Sequence, residues 1–564
     1  MRLVAAATVF VAAFFAFAFF FLAAPVIPDA DSYFHLAVAR EYASHGYMDA
    51  LPWTRFSILG KTYGDKELLF HYLLAPFASW TDAATGGRLA LALLNATFAA
   101  TMTFFAARAL GWWSLAVPLW LYVSAPMLTF RLIRLRPELL ALLLLLAFIH
   151  AAASRRVRWV AVLAAVFALS YTAFHVIVGL PVLWFLGVRR QSRRSGIPLA
   201  ATLGAAAGLL VHPGFPDNLR IWWIQNVLFF VEKSRLDVGS EIEAAPLHFL
   251  LLLNLGWWAG IAVLWFFSRG ATADRRRIVH FGVAAAVFAV LTLLLQRMAI
   301  YFVPLLTLVL LARLEAIPDL RRARVALALL ATAVLSLPAS SKIARELFAD
   351  SGWEADYAAF GKAVPPGAKV AAHWGPAEMY CFWAPQGRYL NVLDPIFAEA
   401  YDAQRRVFEG REPDVPRVVH TTLDSDYIAF PSTSPLFERL QHDPRIVPIH
   451  NGLTFLGRIA PERTQDFVGG GYIPAAPRCT SIPLTETLTA PETRTYELAS
   501  YGPAELRIDD RPPIRTRGSR AILGRGAFFR TTLAAGAHRF VVTTCPARDG
   551  GNGFYLLRRS AVGR

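Results

Sequence analysis

Residues 1–35 read MRLVAAATVFVAAFFAFAFFFLAAPVIPDADSYFH, an unbroken apolar run followed at once by two aspartates and a histidine. The run at about 3–24 is long enough to cross the hydrocarbon core of a bilayer, which takes about 20 residues as a helix. It is also long for a cleavable signal peptide. Because carboxylates at a membrane boundary are costly unless they are solvated, paired or bound to a cation, the stretch predicts a retained first span with a polar site at its outer end.

The composition of the whole chain indicates a membrane protein. Of its 564 residues, 56% are hydrophobic and 17% are charged, and the mean hydropathy is +0.43, which is too apolar for an ordinary soluble globule. The net charge of +16 comes from Lys and Arg in short clusters between apolar runs, without the interleaved aromatic residues that stack on bases. This pattern is typical of membrane topology and argues against nucleic acid as a partner.

Further apolar runs predict additional membrane spans, and they lie at about 83–107, 112–130, 138–153, 157–188, 197–212, 246–267, 278–296, 299–312 and 325–340. The run at 157–188 is long enough for two crossings, so the sequence predicts a polytopic α-helical protein with about eleven spans. Arginine clusters between spans mark the cytoplasmic side, at 155–158, 189–194, 275–277 and 321–324. The predicted protein lies in the cytoplasmic membrane with its N-terminus inside, and its outer segments are those at about 25–80, 131–137 and 213–245 and everything after about 341.

The C-terminal part has the hydropathy of a soluble protein, so residues 1–340 are predicted to form the transmembrane domain. In residues 341–465, β-type runs such as Lys369-Val-Ala-Ala alternate with helical patterns, which predicts an extracytoplasmic α/β domain. In residues 466–564, short strands alternate with Gly and Pro turns, which predicts a β-sandwich. The topology places both domains in the periplasm or outside the cell.

The three cysteines all lie in this C-terminal part, at Cys381, Cys479 and Cys545, and none has the C-x-x-C spacing of a zinc or redox site. Cys479 and Cys545 flank the predicted sandwich in an oxidising compartment, where two thiols in one small domain tend to pair. We therefore predict a disulfide between them, with Cys381 unpaired. Two unrelated buried cysteines are the alternative.

The first outer loop carries candidate metal ligands, Asp29 and Asp31, followed by His35. A hard divalent ion such as Mg²⁺ or Mn²⁺ prefers carboxylate oxygens and can neutralise a departing phosphate. The alternative is that one of the aspartates caps the helix that starts near Ser32. The segment from Tyr63 to His71 is also charged, and for it a solvated helix start is an equally good interpretation.

The second outer turn contains Arg131, Arg134 and Arg136 on the side that the positive-inside rule disfavours. Such a violation indicates an anionic partner, either protein carboxylates or lipid phosphate. Pro137 suits the first turn of the next span, and Glu138 lies beside it near the positive end of the helix dipole. A purely structural role for Glu138 in that first turn is equally consistent with the sequence.

Taken in order, these residues resemble the catalytic subunit of oligosaccharyltransferase, within the GT-C class of lipid-linked-sugar glycosyltransferases. The resemblance rests on the D-x-Y-x-H of Asp31 to His35, the S-E of Ser240 and Glu241, and the R-x-x-x-Y-x-x-P of Arg297 to Pro304. It implies that Asp31 binds the catalytic metal, that Glu241 contacts metal and acceptor, and that Arg297 contacts the lipid pyrophosphate. His35 and Tyr301 belong to the same motifs, and we assign them to substrate binding.

Two motifs depart from that family. The second-loop D-x-D is missing, and Glu138 after Arg-Pro takes its place, a form similar to lipid-phosphate mannosyl- and aminoarabinosyltransferases of the wider class. The Trp-Trp-Asp-Tyr-Gly signature that reads the acceptor sequon is also absent. At the corresponding strand end stand His373, Trp374 and Glu378, of which we assign Trp374 and Glu378 to substrate binding.

We therefore expect an integral-membrane glycosyltransferase that moves a sugar or oligosaccharide from a polyprenyl-(di)phosphate lipid to an extracytoplasmic protein or glycan. Mg²⁺ or Mn²⁺ held by Asp31, Glu241 and Glu138 would neutralise the leaving phosphate, with Arg297 and the three outer arginines in support. A non-catalytic glycan-binding or assembly protein on the same scaffold remains an alternative. A transporter is a further one, although the charged residues lie in outer loops and at span ends, with few inside spans.

Overall fold

The computed structural model of the chain describes residues 1–80, 82–187, 196–236, 242–244, 246–269, 275–315, 319–349, 352–473, 477–517, 527–547 and 551–559. The chain forms two compact units. Three segments make up the first unit, Met1–Leu51, Leu59–Ser351 and Asp394–Ile396. Three others make up the second, Pro52–Ile58, Gly352–Leu393 and Phe397–Arg564.

The described residues of the first unit fold mainly into α-helices. In chain order, α1 to α18 span Arg2–Ala23, Ala30–His45, Leu68–Ala78, Ala83–Leu110, Ala116–Ser124, Pro126–Leu132, Pro137–Ala153, Val157–Ser170, Phe174–Gly187, Ile197–Leu210, Asp217–Trp223, Phe229–Glu232, Leu247–Leu253, Leu255–Phe267, Arg275–Leu294, Ala299–Arg313, Asp319–Ala333 and Leu337–Phe348. The apolar run that opens the sequence is α1, and at about 1.5 Å per residue its 22 residues span a hydrocarbon core.

Within the described residues, five helical segments are long and apolar enough to cross a membrane, namely Arg2–Ala23, Ala83–Ser124, Arg275–Leu294, Gln296–Arg313 and Arg321–Glu346. The pair Leu247–Leu253 and Leu255–Phe267, bent by 74°, makes a sixth if it is one span. Shorter apolar helices accompany them at Leu68–Ala78, Pro137–Ala153, Val157–Ser170, Phe174–Leu186 and Ile197–Leu210. The chain is thus a membrane protein with several apolar helices, and the number of about eleven spans stays a prediction.

Small residues set how closely these helices pack. A Cβ atom on Gly204 or Gly208 of α10 would overlap the backbone of Ala161 or Ala165 on α8. A Cβ on Gly86 of α4 would likewise overlap the carbonyl of Phe77 in α3. Close backbone approach at small residues is a common way for helices to associate in lipid, where burial of apolar surface supplies no driving force. The contact at Gly86 positions α3 and the polar segment that precedes it.

The second unit begins with a mixed α/β fold. Its helices α19 to α24 span Trp353–Ala363, Trp374–Trp383, Tyr401–Phe408, Val415–Thr421, Leu436–Leu440 and Pro461–Thr464. Its strands β1 to β5 span Lys369–Ala372, Arg388–Tyr389, Tyr427–Pro431, Ile446–Asn451 and Thr454–Ile459. They form one sheet in the order β2-β1-β3-β5-β4, in which β1 pairs in parallel with β2 and β3, and β5 pairs antiparallel with β3 and β4. The run at Lys369 is therefore a strand, as its composition indicated.

Two four-stranded sheets complete the second unit. Their strands β6 to β13 span Phe467–Ile473, Thr480–Leu488, Glu492–Ser500, Ala504–Ile508, Ile514–Thr516, Ala527–Leu533, Gly536–Thr544 and Asn552–Arg559. The sheet orders are β10-β9-β12-β7 and β11-β8-β13-β6. Alternate residues of β12, including Phe540 and Val542, are buried and share one apolar core with Leu498 and Leu556 of the other sheet. The C-terminal part is thus rich in sheet.

Cys479 and Cys545 are joined by a disulfide bond in the structure, and Cys381 is a buried free cysteine. Cys479 directly precedes β7, and Cys545 directly follows β12. The two strands pair antiparallel, with Thr480 of β7 opposite Thr544 of β12. The pairing of the two strands brings the two cysteines together although 66 residues separate them in sequence.

We expect the Cys479→Ser/Cys545→Ser double variant to destabilise the sheet-rich C-terminal region by about 4 kcal/mol, since the bond closes a long loop of the unfolded chain. Limited proteolysis with increasing denaturant measures this effect. Thiol labelling of denatured, non-reduced wild-type protein provides the control and modifies Cys381 alone. Labelling of all three cysteines would contradict the prediction.

Candidate functional site

The polar site of the first unit begins where α2 begins. Asp29 occupies the N-cap position with extended backbone, but among the described residues its side chain makes no capping hydrogen bond to α2. The carboxylate is held by Arg136 instead, whose Nε donates to Asp29 Oδ2 at 2.6 Å and whose Nη2 donates to Oδ1 at 2.7 Å. This two-point, charge-assisted geometry is the strongest form of a guanidinium–carboxylate pair.

Asp31 and Arg134 join the same cluster. Arg136 Nη2 lies 2.9 Å from Asp31 Oδ2, and Arg134 Nη1 lies 3.7 Å from Asp29 Oδ1. Arg134 also stacks over the ring of Phe130, with 3.9 Å from the guanidinium carbon to the ring centre. Arg134 and Arg136, which the predicted topology places on the outer side, thus have protein carboxylates as anionic partners.

The two aspartates differ in exposure. The side chain of Asp29 is 7% exposed, whereas that of Asp31 is 31% exposed. Arg136 donates to both oxygens of Asp29, and its Nη2 also lies 2.9 Å from Asp31 Oδ2. Asp29 therefore acts as the structural partner of Arg136, while the carboxylate of Asp31 remains accessible to a ligand.

Glu138 lies in the first turn of α7, which starts at Pro137 in the position that best tolerates proline. Its side chain is buried, and within the part of the chain that the structure describes its Oε2 atom has no hydrogen-bond partner. Glu138 and Arg297 both lie within electrostatic range of the hydroxyl of Tyr301. The structure therefore brings three of the predicted site residues into one neighbourhood.

Arg297 lies in a short 3₁₀ segment, Gln296–Met298, directly before α16. The Gln296 amide donates to the carbonyl of Glu243 at 3.0 Å, and Lys233 Nζ donates to the carbonyl of Ile242 at 2.6 Å. The first contact joins Glu243 to the segment before α16, and the second joins Ile242 to the segment that follows α12. Glu241, the predicted ligand of metal and acceptor, lies outside the described residues.

A second polar cluster lies around His35 and the start of α3. The Asp65 carboxylate accepts hydrogen bonds from Tyr42 Oη at 2.7 Å, from His71 Nδ1 at 2.7 Å and from the Glu67 amide at 2.9 Å. His71 Nε2 in turn lies 2.9 Å from His35 Nδ1, and Glu67 Oε2 lies 3.9 Å from the same His35 nitrogen. The side chains of this cluster are buried.

Burial and neighbouring charges shift the titration of this cluster. Burial, followed by the charges of His71, Arg136 and Lys66, holds the pKa of His35 well below its ordinary value. Burial also raises the pKa of the Glu67 carboxyl, against the charges of Lys66 and His71. For Asp65, burial opposes the charged form, but the charge and hydrogen bond of His71 and the Tyr42 hydroxyl outweigh burial and lower the pKa. Asp65 is therefore the anion of the cluster, and His35 is neutral at neutral pH.

Lys66 links this segment to two distant parts of the first unit. Its Nζ donates to Gln225 Oε1, and Gln225 Nε2 donates to Asp394 Oδ2 at 2.9 Å. The consecutive residues Asp65, Lys66 and Glu67 thus take part in two different networks. The sequence left open whether this stretch is a solvated helix start. Glu67 and His71, four residues apart at the start of a helix, are nevertheless a recognisable ligand spacing.

The remaining predicted residues lie elsewhere. Arg131 is buried in α6 of the first unit. Trp374 and Glu378 belong to α20 of the second unit, where Glu378 is buried and His373 precedes the helix as its N-cap, accepting from the Gly375 amide at 3.4 Å. The substrate-binding roles of Trp374, Glu378 and Arg131 stay predictions.

Comparison with known proteins shows the fold and no closer relationship. No family model matches the sequence, and no curated protein matches it. Among solved structures, the chain is similar to ArnT from Cupriavidus metallidurans in the apo state, with a TM-score of 0.51 and 14% identity over 81% of this chain and 99% of ArnT. It is similar to the same protein bound to undecaprenyl phosphate, with a TM-score of 0.52 and 15% identity over 80% of this chain and 97% of ArnT. The chain therefore has an ArnT-like GT-C fold.

Proposed function

We propose that this chain is an integral-membrane glycosyltransferase that moves a sugar or oligosaccharide from a polyprenyl-phosphate or polyprenyl-diphosphate lipid to an extracytoplasmic protein or glycan. The observation that carries the proposal is the fold, since nearly the whole length of ArnT, a protein that has been crystallised with undecaprenyl phosphate, superimposes on this chain. The cluster of Asp31, Arg134 and Arg136 at the start of α2 gives that fold a charged site of the kind that a lipid phosphate requires.

The proposed roles follow from charge and exposure. The guanidinium of Arg297 would bind the lipid phosphate, with Arg131, Arg134 and Arg136 adding positive potential to the same outer surface. Asp31 would act through its accessible carboxylate. The Glu138 oxygen that has no hydrogen-bond partner among the described residues suits a cationic ligand. Mg²⁺ or Mn²⁺ held by Asp31, Glu138 and Glu241 would supply the charge that neutralises the leaving phosphate.

The proposed orientation places the N-terminus in the cytoplasm and both C-terminal domains on the far side of the cytoplasmic membrane. The disulfide between Cys479 and Cys545 supports this orientation, because structural disulfides persist in oxidising compartments. The arginine-rich loops between spans then lie in the cytoplasm, as the positive-inside rule requires.

Sugar transfer can be tested with the purified full-length chain in sealed proteoliposomes that contain radiolabelled lipid-linked sugars, supplied separately as monophosphates and diphosphates. The expected result is release of free polyprenyl phosphate or diphosphate from one pool, with a requirement for a divalent cation. Retention of bound glycan without release would favour a glycan-binding or assembly protein. Movement of intact label across the sealed bilayer without release would favour a transporter.

Arg297→Ala should weaken donor binding by about tenfold or more, and Arg297→Lys should weaken it less, because lysine keeps the charge but loses the planar two-point fork. Binding of a fluorescent polyprenyl phosphate to the purified variants measures the difference. The exposed Arg235, which pairs with Glu232, provides a control as Arg235→Ala. Equal donor affinity for wild type and both Arg297 variants would contradict the role of this arginine.

A further inference from the structure

We propose that His35, Glu67 and His71 form a metal site for Zn²⁺ or a similar imidazole-preferring ion, separate from the Mg²⁺ or Mn²⁺ ligands suggested by the sequence. One ligand atom from each of these residues lies within 4.8 Å of the others, and all three residues are buried. His35 lies in α2, Glu67 is the N-cap residue of α3, and His71 lies in α3 itself. Among the described residues, no other group of three or more His, Cys, Asp or Glu side chains converges in this way.

The distances suit a small ion. Two ligands that each lie about 2.0–2.1 Å from Zn²⁺ are separated by about 3.4 Å in tetrahedral geometry. The observed separations bracket this value, at 2.9 Å between His35 Nδ1 and His71 Nε2 and 3.9 Å between His35 Nδ1 and Glu67 Oε2. Each of these two separations differs from the tetrahedral value by about half an ångström, and the remaining one lies within 4.8 Å.

The surroundings orient the ligands. The Asp65 carboxylate lies 2.7 Å from His71 Nδ1, and in the neutral imidazole that donates from Nδ1 the lone pair of Nε2 faces His35, 2.9 Å away. A carboxylate behind a ligating histidine is a usual feature of metal sites, because it fixes the tautomer and the ring orientation. Tyr42 and the Glu67 amide hold Asp65 in turn. Asp65 is thus a positioning residue for the site.

Charge and ligand type define the ion. Asp65 and Glu67 place two carboxylates in a buried pocket, where uncompensated charge is costly. Arg136 is already bound to Asp29 and Asp31, and Lys66 acts on Glu67 as one further positive charge. A divalent ion would offset the negative charge that remains. Two imidazoles and one carboxylate select a first-row transition ion over Mg²⁺, which prefers oxygen ligands and water.

Three protein ligands leave a fourth position open for water or for an oxygen of an incoming group. A phosphate oxygen of the donor would suit this position, and only that last assignment rests on the proposed transferase function. Metal binding itself is independent of transfer, so the two proposals can fail separately.

Zinc binding by the purified full-length protein tests the site directly. After treatment with chelator, the protein is titrated with ZnCl₂, and the retained metal is measured by mass spectrometry together with the melting temperature. We expect one zinc per wild-type chain and a rise in melting temperature on loading. Glu67→Gln and His71→Ala should each lower zinc affinity at least tenfold, and Asp65→Asn should lower it by about 10- to 100-fold.

Two control variants show whether zinc binds at these three residues or elsewhere on the protein. His45→Ala changes an exposed histidine on the same helix and should retain zinc, and Asp31→Ala should also retain it. X-ray absorption of the zinc-loaded wild type needs no variant and should show two imidazole ligands. Absence of retained zinc, a ligand sphere made of oxygen alone, or unchanged affinity in folded Glu67→Gln would each overturn the proposal in favour of a metal-free, hydrogen-bonded histidine pair.

Discussion

Asp31→Ala is expected to lower sugar transfer at least about 100-fold while leaving the protein folded. A carboxylate at the reacting centre stabilises charge that develops in the transition state, and removal of such a group typically costs two to three orders of magnitude. The fold should survive because the Asp31 side chain is 31% exposed and because Arg136 keeps its two-point pair with Asp29. Initial rates of polyprenyl phosphate release, with the melting temperature measured in parallel, give both quantities.

Two further variants test whether the charge of Asp31 itself is required: Asp31→Asn removes that charge, and Glu41→Ala is the control. Asn keeps the shape of the side chain and removes its charge, so Asp31→Asn should lose nearly as much activity as Asp31→Ala. Glu41 lies on the same helix and pairs with the exposed His45, so Glu41→Ala should keep the wild-type rate. Wild-type turnover by folded Asp31→Ala would remove Asp31 from the proposed site.

Arg136→Ala is expected to destabilise the protein by about 3–5 kcal/mol. The substitution leaves the Asp29 carboxylate, which is 7% exposed, without the guanidinium that binds both of its oxygens. The stability of Arg136→Lys should lie between that of the wild type and that of Arg136→Ala, because one ammonium group cannot replace the two-point contact of a guanidinium. Thermal unfolding in detergent, monitored as loss of monomer in size-exclusion chromatography, ranks the stabilities of wild type, Arg136→Lys and Arg136→Ala.

A double-variant cycle shows whether the loss of stability comes from the Asp29 carboxylate, which keeps only its 3.7 Å contact with Arg134 when Arg136 is removed. Adding Asp29→Asn to Arg136→Ala removes the stranded charge, so the double variant should be more stable than the sum of the two single losses predicts. Arg235→Ala, which breaks an exposed ion pair with Glu232, should cost no more than about 1 kcal/mol. Additive losses at Asp29 and Arg136 would show that the two side chains act independently.

Much of the fold could be predicted because it depends on contiguous stretches of chain. The apolar run after Arg2 becomes α1, and the β-type run at Lys369 becomes β1. Whether a segment prefers lipid or water is a property of its own side chains, so hydropathy identifies it without knowledge of its neighbours. The same local reasoning predicted that carboxylates beside the first span and arginines in the second outer turn would need partners of opposite charge.

The identity of those partners could not be predicted, because it depends on how the helices pack. Asp29 and Arg136 are 107 residues apart, and the sequence left open whether the outer arginines bind protein carboxylates or lipid phosphate. For the same reason, the sequence could not show that the charged segment before His71 forms a buried cluster. In the sequence its charges resemble those of any solvated helix start. Only the structure shows that Asp65 is buried and hydrogen-bonded to Tyr42 and His71.

The amino-acid sequence by itself determined that this is a membrane protein whose charged residues gather beside its first span, and it supplied the motif order that indicates a GT-C glycosyltransferase. Only the tertiary structure decided which carboxylate is structural and which is accessible, since Asp29 and Asp31 are two residues apart and chemically identical. It also brought His35 and His71, 36 residues apart in sequence, to within 2.9 Å of each other. The physical reason is that burial and pairing depend on which helix surfaces meet, and local spacing along the chain does not specify those contacts.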